Sequence, residues 1–198
     1  MTIGSVPRTQ RPSCGAKKNE KMQHPTYFLI VSSLVRYKRI DLAIEACSKL
    51  GKHLKIVGEG ADRKRLEQLV RSRAMSRTCD VEFCGWKQGE DLASLFAEAQ
   101  ATIFAGDEDF GLVPLESMAC GTPVIAYRSG GALETIIEHQ TGEFFDEPTA
   151  QSLQKVLQNF DSKKYSGDAC REQARNFSRS EFEKKMKEAV DTLMFSRG

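Results

Sequence analysis

Between Tyr27 and Phe145 the apolar residues switch repeatedly between short continuous runs and helical spacing. Tyr27-Phe28-Leu29-Ile30-Val31 is an aromatic and branched run, as a strand covered on both faces requires. Ile40, Ala43, Ile44, Cys47 and Leu50 then recur at +3, +4, +7 and +10, one face of a helix. Leu54 to Val57 reads as a second strand ending at Gly58-Glu59-Gly60, and Leu66, Leu69 and Val70 as a second helix. Val81 to Gly85 is a third strand; Leu92, Leu95, Phe96 and Ala99 form a third helical face. Ala101 to Ala105 is a fourth strand, and a loop from Gly106 to Val113 leads to a helix opened by Pro114. Val124 to Tyr127, a Gly130-Gly131 turn, a short helix over 132–137 and Glu143 to Phe145 close the series. Strands alternating with helices over short connections predict an α/β fold, a mostly parallel sheet with helices on both faces.

At 198 residues and 22.1 kDa the chain has room for about one such domain. We divide it into a flexible basic leader, 1–24, and a folded domain, 25–198. Beyond Pro148 the pattern is helical only, and Phe182, Met186, Ala189, Val190 and Leu193 trace an apolar stripe along the last helix. That stripe must pack on this domain or on another, and left unpaired it favours a homo-oligomer. The leader holds five basic groups and one acid, whereas residues 25–198 hold 24 basic and 26 acidic groups. A body so close to neutral does not read as a nucleic-acid binder. The longest apolar stretch is Tyr27 to Val31, too short to cross a bilayer, and no signal-peptide core precedes it. The six cysteines form no CxxC pair and lie near none of the three histidines, so no metal site is expected. Cys47, Cys84 and Cys120 read as small core residues of a reduced, cytoplasmic protein.

In an open parallel sheet, ligands bind beyond the carboxyl ends of the strands. The loop after Ala105 is the richest there: Glu108 lies in the loop and Glu116 in the expected first helical turn. Between them, Gly111 lets a ligand approach the backbone, and the amides of Gly111, Leu112 and Val113 suit a diphosphate. Read alone, Glu116 equally fits a carboxylate complementing the helix dipole, and Glu108 a solvated one. Arg36, Lys38 and Arg39 crowd the turn after the first strand, where a phosphate would need neutralising or where a basic turn is simply solvated. Val57-Gly58-Glu59-Gly60 is an incomplete dinucleotide fingerprint after the wrong strand. An epimerase using a nicotinamide would want a glycine-rich first turn and a Tyr-x-x-x-Lys pair, and neither occurs.

Taken together, Ser33 to Ala46, Ile56 to Gly60, Val81 to Trp86 and Glu108 to Ala126 resemble the donor-binding, C-terminal half of a GT-B-type retaining glycosyltransferase. The likeness is to family 4, and within it to bacterial and archaeal mannosyltransferases, over about residues 27–195. It implies a Rossmann-like sheet, a nucleotide-diphosphate sugar as donor (GDP-mannose preferred), no metal and no cofactor. It implies that Lys38 neutralises the diphosphate, with Arg36 and Ser33 in the same loop, while Gly111, Leu112 and Val113 cradle it beside Phe110. Glu116 would hold the ribose, and Glu108, the catalytic carboxylate, would face the sugar. Val57, Gly58, Gly85 and Trp86 would border the base.

Two departures accompany the likeness. Ser33 stands where the family usually has arginine, so weaker donor binding is expected. The acceptor-binding N-terminal domain is absent from the chain as given, and helices 167–195 would pack on it. Transfer to a glycan or lipid-linked acceptor, in the cytoplasm or at the inner membrane face, is thus expected to need that domain. The alternative is a non-catalytic nucleotide-sugar-binding module.

Overall fold

The computed structural model describes residues 27–74 and 80–195. The leader, Cys14 and Cys79 lie outside the described residues. Six strands form one sheet: β1 (Tyr27–Val31), β2 (His53–Val57), β3 (Val81–Gly85), β4 (Ala99–Phe104), β5 (Val124–Tyr127) and β6 (Gly142–Phe145). Every neighbouring pair is parallel, in the order β3-β2-β1-β4-β5-β6. The helices are α1 (Ile40–Leu50), α2 (Arg63–Ala74), α3 (Gly89–Ala97), α4 (Leu112–Ala119), α5 (Ala132–Thr135), α6 (Ala150–Asn159), α7 (Gly167–Arg175) and α8 (Arg179–Phe195).

The strand runs are buried on alternate sides, and this divides the core. Phe28, Ile30, Leu54, Ile56, Ile103 and Ile125 pack with α1, α2 and α6 on one face. Phe104, Val124, Ala126 and Phe144 meet Met118 of α4, Ala132 of α5 and Cys170 of α7 on the other, where Tyr27, Leu29 and Val57 also meet Phe96 of α3. Continuous apolar strands are what a sheet covered on both sides needs. Cys47 is fully buried as expected; Cys84 and Cys120 are only partly so.

Several boundaries shift by one or two residues, the helix expected over 132–137 ending at Thr135 among them, and two of the shifts bear on the packing around the site. Ala99 begins β4 rather than closing the helix before it, pairing with Tyr27. The helix expected to open at Pro114 starts two residues earlier, with Gly111 as its N-cap at φ 59° and ψ 70°. Pro114 is instead the third helical residue, where its missing N–H costs no intrahelical bond. On α8, Phe182, Met186 and Val190 are each about half exposed, so these three positions of the stripe are uncovered among the described residues.

A buried chain of hydroxyls fixes α4 to the sheet. Ser117 Oγ donates to the Thr122 carbonyl at 3.1 Å and shares a 2.7 Å hydrogen bond with Thr102 Oγ1 on β4. Thr122 Oγ1 donates to the Phe96 carbonyl at 2.6 Å. Replacing Ser117 by Ala leaves buried partners unmatched, so S117A should destabilise the chain by about 1–3 kcal/mol in urea unfolding with unchanged far-UV circular dichroism.

Candidate functional site

The carboxyl ends of β1 and β4 part into a narrow crevice lined by Ile30, Val31, Ser32, Phe104, Lys38 and Glu108, with a volume of about 10 Å³. That holds about one water molecule, so any larger ligand must lie across its mouth. Lys38 Nζ sits 2.5 Å from Glu108 Oε1, with the two side chains only 13% and 25% exposed. Lys38 ends a single 3-10 turn, Arg36–Lys38, and Arg39 then turns left-handed at φ 51° to start α1. Gly106 allows this closeness: a Cβ there would lie 3.2 Å from Lys38 Cα. The structure thus joins the predicted diphosphate cation to the predicted catalytic carboxylate, a contact the sequence did not reveal.

Beside the pair lies the N-terminus of α4. No side chain caps it, and Gly111 fits because its neighbour is the Phe104 ring, 3.2 Å from where a Cβ would stand. The N–H groups of Gly111, Leu112 and Val113 are the ones the first turn leaves without helical partners. Because the helix starts early, Glu116 is its fifth residue, and no acid occupies the first turn. The helix-dipole account of Glu116 therefore loses its geometry; the side chain is exposed on the second turn.

Other predicted residues are more scattered. Ser33 is exposed, and Arg36 is 84% exposed with Nε 4.0 Å from Asp62, directed to the β2–α2 loop and not to the crevice. Val57 is buried in the core, so only its backbone faces the loops. Gly58 and Gly60 serve loop packing, since a Cβ would fall 1.9 Å from the Ser32 carbonyl oxygen and 2.3 Å from that of Leu34. Backbone bonds from Ser32 to Val57, Gly58 to Gly85 and Leu34 to Glu59 knit the first three loops together. Trp86 and Phe110 are strongly exposed, as is Tyr37, whose ring lies 4.9 Å from Lys38 Nζ.

Sequence reasoning missed Asp62 and any role for the Gly130-Gly131 turn. Arg65 forks onto the nearly buried Asp62 carboxylate at 2.7 and 2.6 Å, and this hydrogen-bonded charge holds its pKa below the ordinary value. Gly131 N–H donates to the Glu108 carbonyl at 2.8 Å. A glycine doublet after β5, at the ligand end of the sheet, was the available signal. Away from the crevice, Glu138, His139 and Glu143 gather within 4.8 Å, but Arg128 already binds Glu138, and Tyr165 binds Glu143.

Residues 16–177 match the family described as Glycosyl transferases group 1. An uncharacterized glycosyltransferase of Methanocaldococcus jannaschii is 30% identical over 155 residues, 76% of this chain and 43% of that protein. A GDP-mannose-dependent alpha-mannosyltransferase of Mycobacterium tuberculosis is 32% identical over 113 residues, 57% of this chain and 28% of that protein. The Anabaena protein HepE, solved with UDP, superposes with a TM-score of 0.71 at 20% identity over 85% of this chain and 49% of its own. The chain therefore spans less than half the length of these relatives. No helix among the described residues is long and apolar enough to cross a membrane.

A carboxylate pKa depressed by folding contributes stability above its unfolded value, and that contribution fades as pH falls through the folded value. Asp62, lowered from 3.8 by Arg65, is such a group. D62N should cost about 1–2 kcal/mol at pH 7, with the gap to wild type closing as pH drops below about 4, read by urea unfolding across pH.

Proposed function

Since the chain belongs to the group 1 glycosyl transferases, we propose that it binds a nucleotide-diphosphate sugar across the mouth of the β1–β4 crevice. It would do so as the donor-binding half of a retaining, metal-independent hexosyltransferase. The observation that carries this reading is the Lys38–Glu108 pair beside the uncapped N-terminus of α4. A cation and three backbone donors provide for a diphosphate, and a carboxylate at their side provides for a polarised sugar.

In the reaction, the bond between the anomeric carbon and the diphosphate oxygen breaks, and negative charge gathers on the leaving group. Lys38 and the amides of Gly111, Leu112 and Val113 would stabilise that charge without moving. Glu108 would accept hydrogen bonds from sugar hydroxyls and stabilise the positive charge at the ring. Glu116 would hold the ribose, Gly85 and Trp86 would border the base with the backbone of Val57 and Gly58, and Phe110 would flank the sugar. GDP-mannose is the donor we favour, because of the similarity to the mannosyltransferase. UDP-glucose is the competitor, because HepE binds UDP. The acceptor would be a glycan or a lipid-linked sugar brought by an acceptor-binding domain, with the transfer running in the cytoplasm or at the inner membrane face. A non-catalytic nucleotide-sugar-binding module is the second reading, favoured by Ser33 and by Arg36 turning to Asp62.

Calorimetric titration with GDP, UDP, GDP-mannose and UDP-glucose, with no added metal, tests this. Saturable binding to one base class is expected, and failure of all four ligands overturns the reading. K38A should weaken every ligand that binds. Glu108→Gln should tighten the free nucleoside diphosphate about three- to tenfold by releasing Lys38, yet weaken the sugar nucleotide. S33R should improve donor affinity by about 1.5–3 kcal/mol, the scale of a charge-assisted hydrogen bond.

A further inference from the structure

The loop that bears Glu108 is held from the side by a turn that carries no functional group of its own. Gly130-Gly131 follows β5, whose neighbour in the sheet is β4, the strand that feeds the Glu108 loop. Gly130 has φ +56°, and a Cβ on it would stand 2.3 Å from the Glu108 carbonyl oxygen, 2.9 Å from Asp107 Oδ1 and 3.0 Å from the Glu108 carbonyl carbon. A Cβ on Gly131 would stand 2.5 Å from the Asp109 carbonyl oxygen. Gly131 also donates its N–H to the Glu108 carbonyl at 2.8 Å, so the same peptide is both approached and hydrogen-bonded. The turn thus holds the Glu108 backbone, while the Lys38 ammonium holds its side chain.

From this geometry we infer that Gly130 and Gly131 are positioning residues for Glu108: the turn sets the backbone from which the carboxylate reaches the sugar. The inference rests on the donor-site reading above. It assigns the turn to the sugar end of the ligand and not to the diphosphate. The three atoms nearest a Gly130 Cβ belong to Glu108 and Asp107. A Cβ on Gly131 would also come 3.0 Å from the Phe110 carbonyl carbon, next to Gly111, so the test is placed on Gly130; α4 is held besides by Ser117 on Thr102 and by Phe104 against Gly111. A small error in carboxylate placement suffices to lose a sugar contact, whereas the cradle stays where α4 puts it.

The test is Gly130→Ala in the full chain, titrated with GDP, UDP, GDP-mannose and UDP-glucose. The control is Gly51→Ala, which has the same left-handed strain at φ +63° but nothing within 4 Å of its Cβ. We expect G130A to weaken the sugar nucleotide at least tenfold while the matching nucleoside diphosphate changes less than threefold. G51A should leave both affinities as in wild type. Equal loss of both ligands in G130A, or loss of neither, overturns the positioning role while leaving the donor site intact. Should the wild-type chain bind no nucleotide, the donor reading and this inference fall together. If G130A does not fold, the Gly131 amide of the wild-type chain decides by nuclear magnetic resonance. Slow exchange, and a shift with the sugar nucleotide that the nucleoside diphosphate does not reproduce, supports the inference; fast exchange or an identical response to both ligands overturns it.

Discussion

Two parallel strands, β1 and β4, lie side by side while the segments that follow them leave toward opposite faces of the sheet. β1 leads through the Arg36–Lys38 turn to α1, and β4 leads through the Glu108 loop to α4. No connection can cross between them at that point, so an opening is left at their carboxyl ends. Every other feature of the site follows from that divergence. Lys38 comes to one lip and Glu108 to the other, and the N-cap of α4, Gly111, stands three residues beyond Glu108 and against Phe104, a residue of the crevice wall.

The ion pair across the gap makes the unliganded crevice electrically quiet. A largely buried ammonium and a largely buried carboxylate each bear a desolvation cost, which their mutual attraction offsets in part. On the donor-site reading proposed above, an entering diphosphate would offer Lys38 a second anionic partner and free the carboxylate for the sugar. Tyr37 lies against Lys38, and Trp86 and Phe110, in other loops at this end of the sheet, also leave aromatic surface exposed.

The sheet was legible because strands buried on both faces tend to be continuously apolar, as β1 and β5 are, while β2 and β4 keep apolar runs at their carboxyl ends despite Lys55 and Thr102. Where legibility slipped, the cause was local. Ala99 suits the end of a helical face as well as the start of a strand, and only its pairing with Tyr27 decides between them. Pro114 is at home in the first or the third helical position, and the left-handed Gly111 that starts α4 early is a tertiary choice made against Phe104. Lys38, Glu108 and the Gly111 to Val113 amides could be singled out because the loops of a parallel sheet converge at one end. What could not be read is contact between loops far apart in sequence: Lys38 on Glu108, Arg36 on Asp62, and the glycine doublet under the Glu108 peptide.

The last of these contacts bears on how the chain matures during synthesis. β1, β2 and β4, with Lys38 and Glu108, are all made before β5, and the residue that pins the Glu108 peptide comes only at Gly131. Until that residue is made, the Glu108 peptide lacks its hydrogen-bond donor. α1 likewise waits for α6, later still in the chain, to complete the core on its face of the sheet. The support of the crevice is thus written into the chain after the residues that line it.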